Sequence, residues 1–434
     1  MIREYGTMKR IEIPRGMETS FFVMEENALR YTAEILQTEF PGKTPWIVAD
    51  ENTFAAAGRT VLEYLKNAGV CCHEPMIYPG SPVMHGSEDL AQALARILPE
   101  DSVPVAVGSG TVNDLVKRAS ELKKVRYCCI PTACSVDGYT SRGAALLVNG
   151  AKKTMPCAAP YGVIADTGVL ATAPAPMMAA GYADLLAKVY GGADWVIVDE
   201  LGLEKIDRPV WDLVQKDLRQ WLSDSTNLGG LFHGLCNTGY SMQLYNDSRP
   251  ASGAEHLFSH VWEMEGFKDA RGESVSHGFQ VGIGMLISAS LIEFLICHDV
   301  DSIRKMASEP QTRLQREERI DQLLVKGCYG STKETALEKF LEGDAIVQRR
   351  ELIYAHWEEM RRRVKEQYIP LEELRSMLKK ASCPYSHHQI GMSDEQYLHV
   401  VETAQLIRKR YTILDLLYES GVLPQAVRTL PLAE

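Results

Sequence analysis

The feature that most constrains this chain is a change of texture near residue 168. Before it, short apolar runs alternate with helical periodicity; after it, strand signals almost vanish. Trp46–Asp50, Pro104–Gly108, Arg126–Ile130 and Tyr161–Asp166 read as buried strands. Helical patterns over 53–69 and 113–122 lie between them. Strand–helix–strand alternation favours a mostly parallel, Rossmann-like sheet with helices on both faces. The later stretches 177–190, 211–223, 254–266, 275–297 and 337–367 all carry helix-like spacing, and Pro174-Ala-Pro176 supplies a helix start. The expected fold class is therefore an α/β domain over 1–167 followed by an all-α domain over 168–434. The expected active site is a cleft between the two.

Composition narrows the partners. With 46 basic and 57 acidic side chains the formal net charge is −11, which argues against a nucleic-acid surface and requires any anion to be bound in a local pocket. The run from Val281 to Ile296 is short for a bilayer span and contains Glu293, so it reads as a buried helix rather than a membrane insertion. The first ten residues lack an apolar leader segment. The ten cysteines show no Cys-x-x-Cys spacing. Reduced core thiols in a cytoplasmic protein are the expectation. The charged run 358–366 reads as a solvated helix face, and the His387-His388 pair as surface.

Two stretches carry chemistry in the first half. In Gly108-Ser-Gly110-Thr111-Val-Asn113-Asp114, glycines stand where a strand gives way to a helix. A phosphate needs that arrangement, because glycines admit a close backbone approach and the free N–H groups of a helix start face the anion. Asn113 occupies the place of the third glycine of the dinucleotide fingerprint, and no Gly-Lys-Ser/Thr follows, so an ordinary capped turn fits equally well. The loop Pro131-Thr132-Ala-Cys-Ser135-Val-Asp137-Gly-Tyr-Thr-Ser141 gathers hydroxyls and a carboxylate at another strand's end. Ligands of open α/β sheets bind there. Asp50 ends its own strand and can accept hydrogen bonds from a ribose, mildly disfavouring a 2′-phosphate.

In the second half, Asp184 and Lys188 stand at i,i+4 on an apolar helix, a spacing that also suits a simple ion pair. His256 and His260 lie one turn apart, and His277 opens the most apolar helix. One carboxylate with two or three imidazoles suits a divalent metal. Histidines that only fill a core are the alternative, which would leave a metal-free nucleotide-binding protein.

The strings Gly108-Ser-Gly-Thr-Val-Asn-Asp114, Pro131-Thr-Ala-Cys-Ser-Val-Asp-Gly-Tyr-Thr-Ser141, Ala183-Asp-Leu-Leu-Ala-Lys188, Ser252-Gly-Ala-Glu-His-Leu-Phe-Ser-His260 and Ser276-His-Gly278 occur in this order. Together they resemble the sn-glycerol-1-phosphate dehydrogenases, a group within the iron-containing alcohol dehydrogenase and dehydroquinate-synthase-like superfamily. The resemblance runs from about residue 45 to 300 and continues weakly into Arg410–Leu417.

It implies Asp184, His256 and His277 as ligands of one divalent metal (zinc, nickel or iron). His260 would lie beside them, serving substrate binding or proton transfer. Asp50, Gly108, Gly110, Thr111, Asp114, Thr132, Ser135 and Ser141 would contact NAD or NADP, with Asp137 where nicotinamide and substrate meet. Lys188 stands where iron-containing members of the superfamily carry a further histidine, which points to a three-ligand shell. The implied reaction is hydride transfer between NAD(P)H and dihydroxyacetone phosphate, giving sn-glycerol 1-phosphate, with Lys188, Arg142 and Arg249 as candidate donors to the substrate phosphate. An unphosphorylated polyol such as glycerol, or a dehydroquinate-synthase-like reaction, are the alternatives on the same fold. The helical half offers surface for a homo-oligomer, and the stretch from about 309 to 380 is surplus to the resemblance.

Overall fold

The computed structural model describes residues 8–82, 84–148, 151–325, 327–330 and 332–432. The first seven residues, on which part of the leader reading rests, lie outside the described residues. Two compact units result: Met1–Tyr182 with Gln220–Asn246, and Ala183–Arg219 with Asp247–Glu434. The units do not follow a single cut in the chain, because the segment Gln220–Asn246 packs with the first.

The first unit is built on a six-stranded sheet of β1 (Phe21–Glu25), β2 (Thr44–Asp50), β3 (Met76–Tyr78), β4 (Ser102–Gly108), β5 (Cys128–Pro131) and, after an antiparallel hairpin of β6 (Gly143–Val148) and β7 (Ala151–Pro156), β8 (Gly162–Asp166). The order across the sheet is β1-β8-β5-β4-β2-β3, and every neighbouring pair is parallel. Alternate residues such as Ile47, Ala49, Val105, Val107, Cys128 and Ile130 enter one core cluster. Their neighbours Trp46, Val48, Ala106 and Cys129 are buried as well. A parallel sheet covered on both faces needs such continuous apolar runs, which is why these strands were legible. The chain leaves β2 toward β3, then returns on the other side of β2 as β4 and continues to β5 and β8. The direction of winding thus reverses between β2 and β4, and the carboxyl ends of those two strands are Asp50 and Gly108.

Sequence patterning missed β1, the β6–β7 hairpin and the helix Leu228–Tyr245. β1 pairs with β8 in the register Phe21↔Gly162 to Glu25↔Asp166, a contact 141 positions apart that no local pattern reveals.

The second unit is helical. His277–Cys297 and the part of Ala175–Glu200 from Ala183 onward are its long buried helical stretches. The former has the length and mean hydropathy (1.9) of a membrane span, yet 83% of that window is buried in protein. The single helix expected over 337–367 is two, Thr332–Glu338 and Asp344–Gln367. Gly343 breaks it with φ +59, a left-handed conformation that glycine adopts without steric cost. All ten cysteines are free, six of them buried. The 358–366 face is largely exposed, as Glu358, Arg362 and Glu366 show. The His387-His388 pair departs from expectation: His387 is only 2% exposed.

Candidate metal centre and nucleotide loops

Three helices of the second unit supply a cluster of ligating atoms. Asp184, His256 and His277 each offer one atom, and these lie within 4.8 Å of one another. Asp184 and Lys188 share a face of Ala175–Glu200, one turn apart. His256 lies in Ala254–Met264, and His277 is the first residue of His277–Cys297. These last two helices meet backbone to backbone: a Cβ on Gly284 would stand 2.4 Å from the Glu255 carbonyl oxygen, so only glycine permits this approach. That closeness brings the His256 and His277 rings to 5.4 Å between centroids.

The ring nitrogens are oriented by carboxylates that sequence reasoning passed over. Glu255 Oε1 stands 2.9 Å from His256 Nδ1 and accepts the Gly253 N–H at 2.8 Å. Glu263 Oε1 stands 3.1 Å from His277 Nδ1, and its other oxygen is 3.6 Å from His260 Nδ1. Holding each Nδ1 fixes the tautomer and leaves Nε2 as the nitrogen available to a metal. His256 Nε2 is 3.4 Å from Asp184 Oδ1. An oxygen and two imidazoles, each ring backed by a carboxylate, is the donor chemistry a zinc-like cation takes, so the residues present fit the group.

Within the cluster Lys188 is paired with Asp184. Lys188 Nζ lies 2.8 Å from Asp184 Oδ1 and also donates to the Ala251 carbonyl at 2.9 Å. Burial alone would raise the Asp184 carboxyl, but the Lys188 ammonium and the two imidazoles hold it well below its usual range. Burial and Lys188 oppose charge on His256, yet its bonds to Asp184 and Glu255 overcome them and raise its value. His260 is pushed down to about 4 by loss of hydration, with Glu263 pulling the other way. Its ring stacks on His277 at 6.2 Å and stays 32% exposed, so it reaches solvent.

Asp194 is a further buried acid that no motif announced. It lies on the same helix as Asp184, accepts the Ala254 N–H at 2.7 Å and the Ile413 N–H at 2.7 Å, and so ties two helix starts. Burial and the charge of Glu255 push its carboxyl up to about 7.

Two expected phosphate donors do not fit that task. Lys188 is fully buried, with its ammonium spent on Asp184 and Ala251. Arg249 is 1% exposed and bound to Glu204 and the Tyr411 carbonyl. Arg142 is exposed and paired with Glu18 at 2.7 Å.

In the first unit, Gly108 closes β4 and Gly110 opens the helix Gly110–Lys123. Ser109 caps that helix without a side-chain hydrogen bond, so its first N–H groups, including that of half-buried Thr111, are available to an anion. Asp50 ends β2 and accepts the Thr53 N–H through Oδ1 at 2.8 Å, capping the next helix. Asp114 Oδ2 accepts the Ala145 N–H at 3.0 Å. Thr132 is buried beside Gly108, its N–H donating to the Gly108 carbonyl at 3.1 Å. Ser135 Oγ bonds the Tyr139 hydroxyl at 3.2 Å, and Ser141 Oγ donates to the Gly138 carbonyl at 3.1 Å. Asp137 is half-buried in the same loop. Lys117, missed by sequence reasoning, organises that loop. Wholly buried, its Nζ donates to the Gly138 carbonyl at 2.7 Å and the Gly143 carbonyl at 2.9 Å. A cation three residues after Asp114 was the available signal.

The sequence pattern of the iron-containing alcohol dehydrogenases matches residues 23–174. A protein of Halalkalibacterium halodurans named glycerol-1-phosphate dehydrogenase [NAD(P)+] is 34% identical over 290 residues, covering 63% of this chain and 72% of that protein. The chain belongs to the glycerol-1-phosphate dehydrogenase family, within the iron-containing alcohol dehydrogenases. A like-named protein of Geobacillus stearothermophilus is 36% identical over 247 residues, which is 55% of this chain and 61% of that protein. The match thus spans about six tenths of that relative's length. In structure, a glycerol dehydrogenase from Schizosaccharomyces pombe superposes with a TM-score of 0.58 at 14% identity, over 98% of this chain and 93% of that one. At that identity the likeness establishes the fold.

Proposed function

We propose that this protein is an NAD(P)-dependent oxidoreductase that interconverts dihydroxyacetone phosphate and sn-glycerol 1-phosphate, with one divalent cation held by Asp184, His256 and His277. The observation that carries the reading is the convergence of those three side chains from three separate helices, with both imidazoles oriented by carboxylates. The relatives' name supports the cofactor and substrate.

A cation bound there would polarise the substrate oxygen, and a dinucleotide would supply or accept hydride. The remaining tasks fall to the chain. Asp50, Gly108, Gly110 and Thr111 flank the reversal of the sheet order, where the uncapped helix start favours a pyrophosphate. Asp114, Thr132, Ser135 and Ser141 shape the adjoining loop, and Asp137 is assigned to the nicotinamide end. Glu255 and Glu263 hold the rings of His256 and His277 in orientation through Nδ1. His260 carries the proton between the substrate oxygen and solvent, for which its partial exposure and the nearby Glu263 suit it. Lys188 neutralises Asp184 and takes no part in phosphate binding. Arg142 remains the candidate for that role.

The test is turnover of dihydroxyacetone phosphate against unphosphorylated dihydroxyacetone with NADH and NADPH, across zinc, nickel and iron, followed by chiral analysis of the product. The phosphorylated ketone is expected to lead in kcat/KM by ~10²-fold or more, since a site built for a polar group is penalised when that group is missing. Equal turnover of both ketones would favour an unphosphorylated polyol. Activity retained in Asp184→Asn with no change in metal content would remove the proposed centre.

A further inference from the structure

The helical unit contains a second convergence of metal-ligating groups, apart from the first in sequence and in its residues. His387 and His388 open the short turn His387–Ile390, and Asp394 is the first residue of the helix Asp394–Leu406. His387 Nε2 is 2.7 Å and His388 Nε2 is 3.1 Å from the same oxygen, Asp394 Oδ1. One ligating atom from each residue lies within 4.8 Å of the other two.

We propose that His387, His388 and Asp394 form a second divalent-cation site, suited to Zn²⁺, that staples this turn to the start of the helix. Two neutral imidazoles and one carboxylate are a borderline-soft donor set of the kind Zn²⁺ takes, with water completing the tetrahedron. Around such an ion, with bonds near 2 Å, ligand atoms stand about 3.3 Å apart, so the present spacing needs only a small opening of the rings away from Asp394.

The surrounding chain holds the arrangement in place. The His387 ring is 2% exposed and stacks on Tyr397 at 4.2 Å with an interplanar angle of 11°. Gln389 Oε1 accepts the N–H groups of Tyr385 and Ser386, closing the turn, while Ser393 and Gln396 form a capping box at the helix start. Gly391, at φ +77, makes the reversal between the two elements. The His387 ring is held by this packing, and the other side remains open: His388 and Asp394 are 48% and 47% exposed, leaving room for water ligands and a route of entry.

The experiment is metal stoichiometry on the full chain. Chelator-stripped wild-type protein is titrated with Zn²⁺, and with Co²⁺ for its ligand-field spectrum, alongside His388→Ala, Asp394→Asn and Asp184→Asn. His388 is half exposed, so its truncation leaves the core intact. Two equivalents are expected in the wild type. His388→Ala and Asp394→Asn should each lose one while keeping the other, and Asp184→Asn should lose the complementary one. A single equivalent that survives Asp184→Asn and disappears in His388→Ala would support this site while sinking the centre at Asp184. A single equivalent abolished by Asp184→Asn, or a stoichiometry unchanged in both His388→Ala and Asp394→Asn, would overturn the proposal.

Discussion

Lys188→Met is the perturbation that most directly probes the electrostatics of the Asp184 cluster. The ammonium and carboxylate lie 2.8 Å apart and both side chains are fully buried. At an effective dielectric constant of 20 the gross attraction at that distance is about 6 kcal/mol. Removing one partner of a buried pair leaves an uncompensated charge and costs roughly 3–5 kcal/mol. The Ala251 carbonyl also loses its donor, in the same direction. For a unit of this size each kcal/mol is worth about 2–4 °C, so the metal-free variant should melt roughly 6–20 °C below the wild type. With saturating Zn²⁺ the deficit should largely close, because a cation between Asp184, His256 and His277 takes over the neutralising role. Affinity for Zn²⁺ should rise by ~10-fold or more, since 1.4 kcal/mol of relieved repulsion is enough for that. The assay is differential scanning calorimetry of stripped and loaded protein, with a competitive chelator titration for affinity. An equal fall in Tm with and without metal, or an unchanged affinity, would mean that Lys188 serves packing alone.

Gly284→Ala places a methyl 2.4 Å from the Glu255 carbonyl oxygen. It should cost about 1–3 kcal/mol by overpacking and weaken metal binding as the His256 helix is pushed away, readable by denaturant melts and metal titration. Asp194 has a folded value of about 7 against 3.8 for an ordinary carboxyl. Its proton therefore stabilises the fold fully below about pH 4, and that contribution fades as pH rises and is gone above about pH 7. Urea melts of stripped protein should show stability declining over that window, by on the order of 4 kcal/mol at most, and Asp194→Asn should flatten the decline. Lys117→Met strips the Gly138 and Gly143 carbonyls of their donor. With both acceptors only half-buried, it should cost about 1–3 kcal/mol in all and raise the Kd for NADH in a fluorescence titration, with metal content unchanged.

Particular residues show how far local reading reached. The Asp184, His256 and His277 set was legible because residue type carried the signal: carboxylate and imidazoles on otherwise apolar helices have few reasons to be there. Their supporting groups were not. Glu255, Glu263 and Asp194 resemble many helix acids until the partner helix is known, and nothing in the residue type of Lys117 marks it as buried. The assignment of Lys188 and Arg249 to phosphate rested on charge alone, and the structure buries both against protein partners. Charge is written in the sequence, whereas burial and the identity of a neighbour are not. His387, read as surface beside His388, was misjudged because ring stacking on Tyr397 depends on a turn that Gly391 creates.

What the sequence determined by itself was four of the sheet's six strands, the switch to helices, the glycine turn after β4 and the residue types able to hold a cation. Those follow from periodicity and from the chemistry of side chains, which act over a few positions. Tertiary structure alone decided the rest: β1 beside β8, the hairpin, the break at Gly343, and the backbone contact at Gly284 that brings His256 to His277. Each of these joins segments through space or turns on a single backbone conformation, so its energy is absent from any short window of the chain.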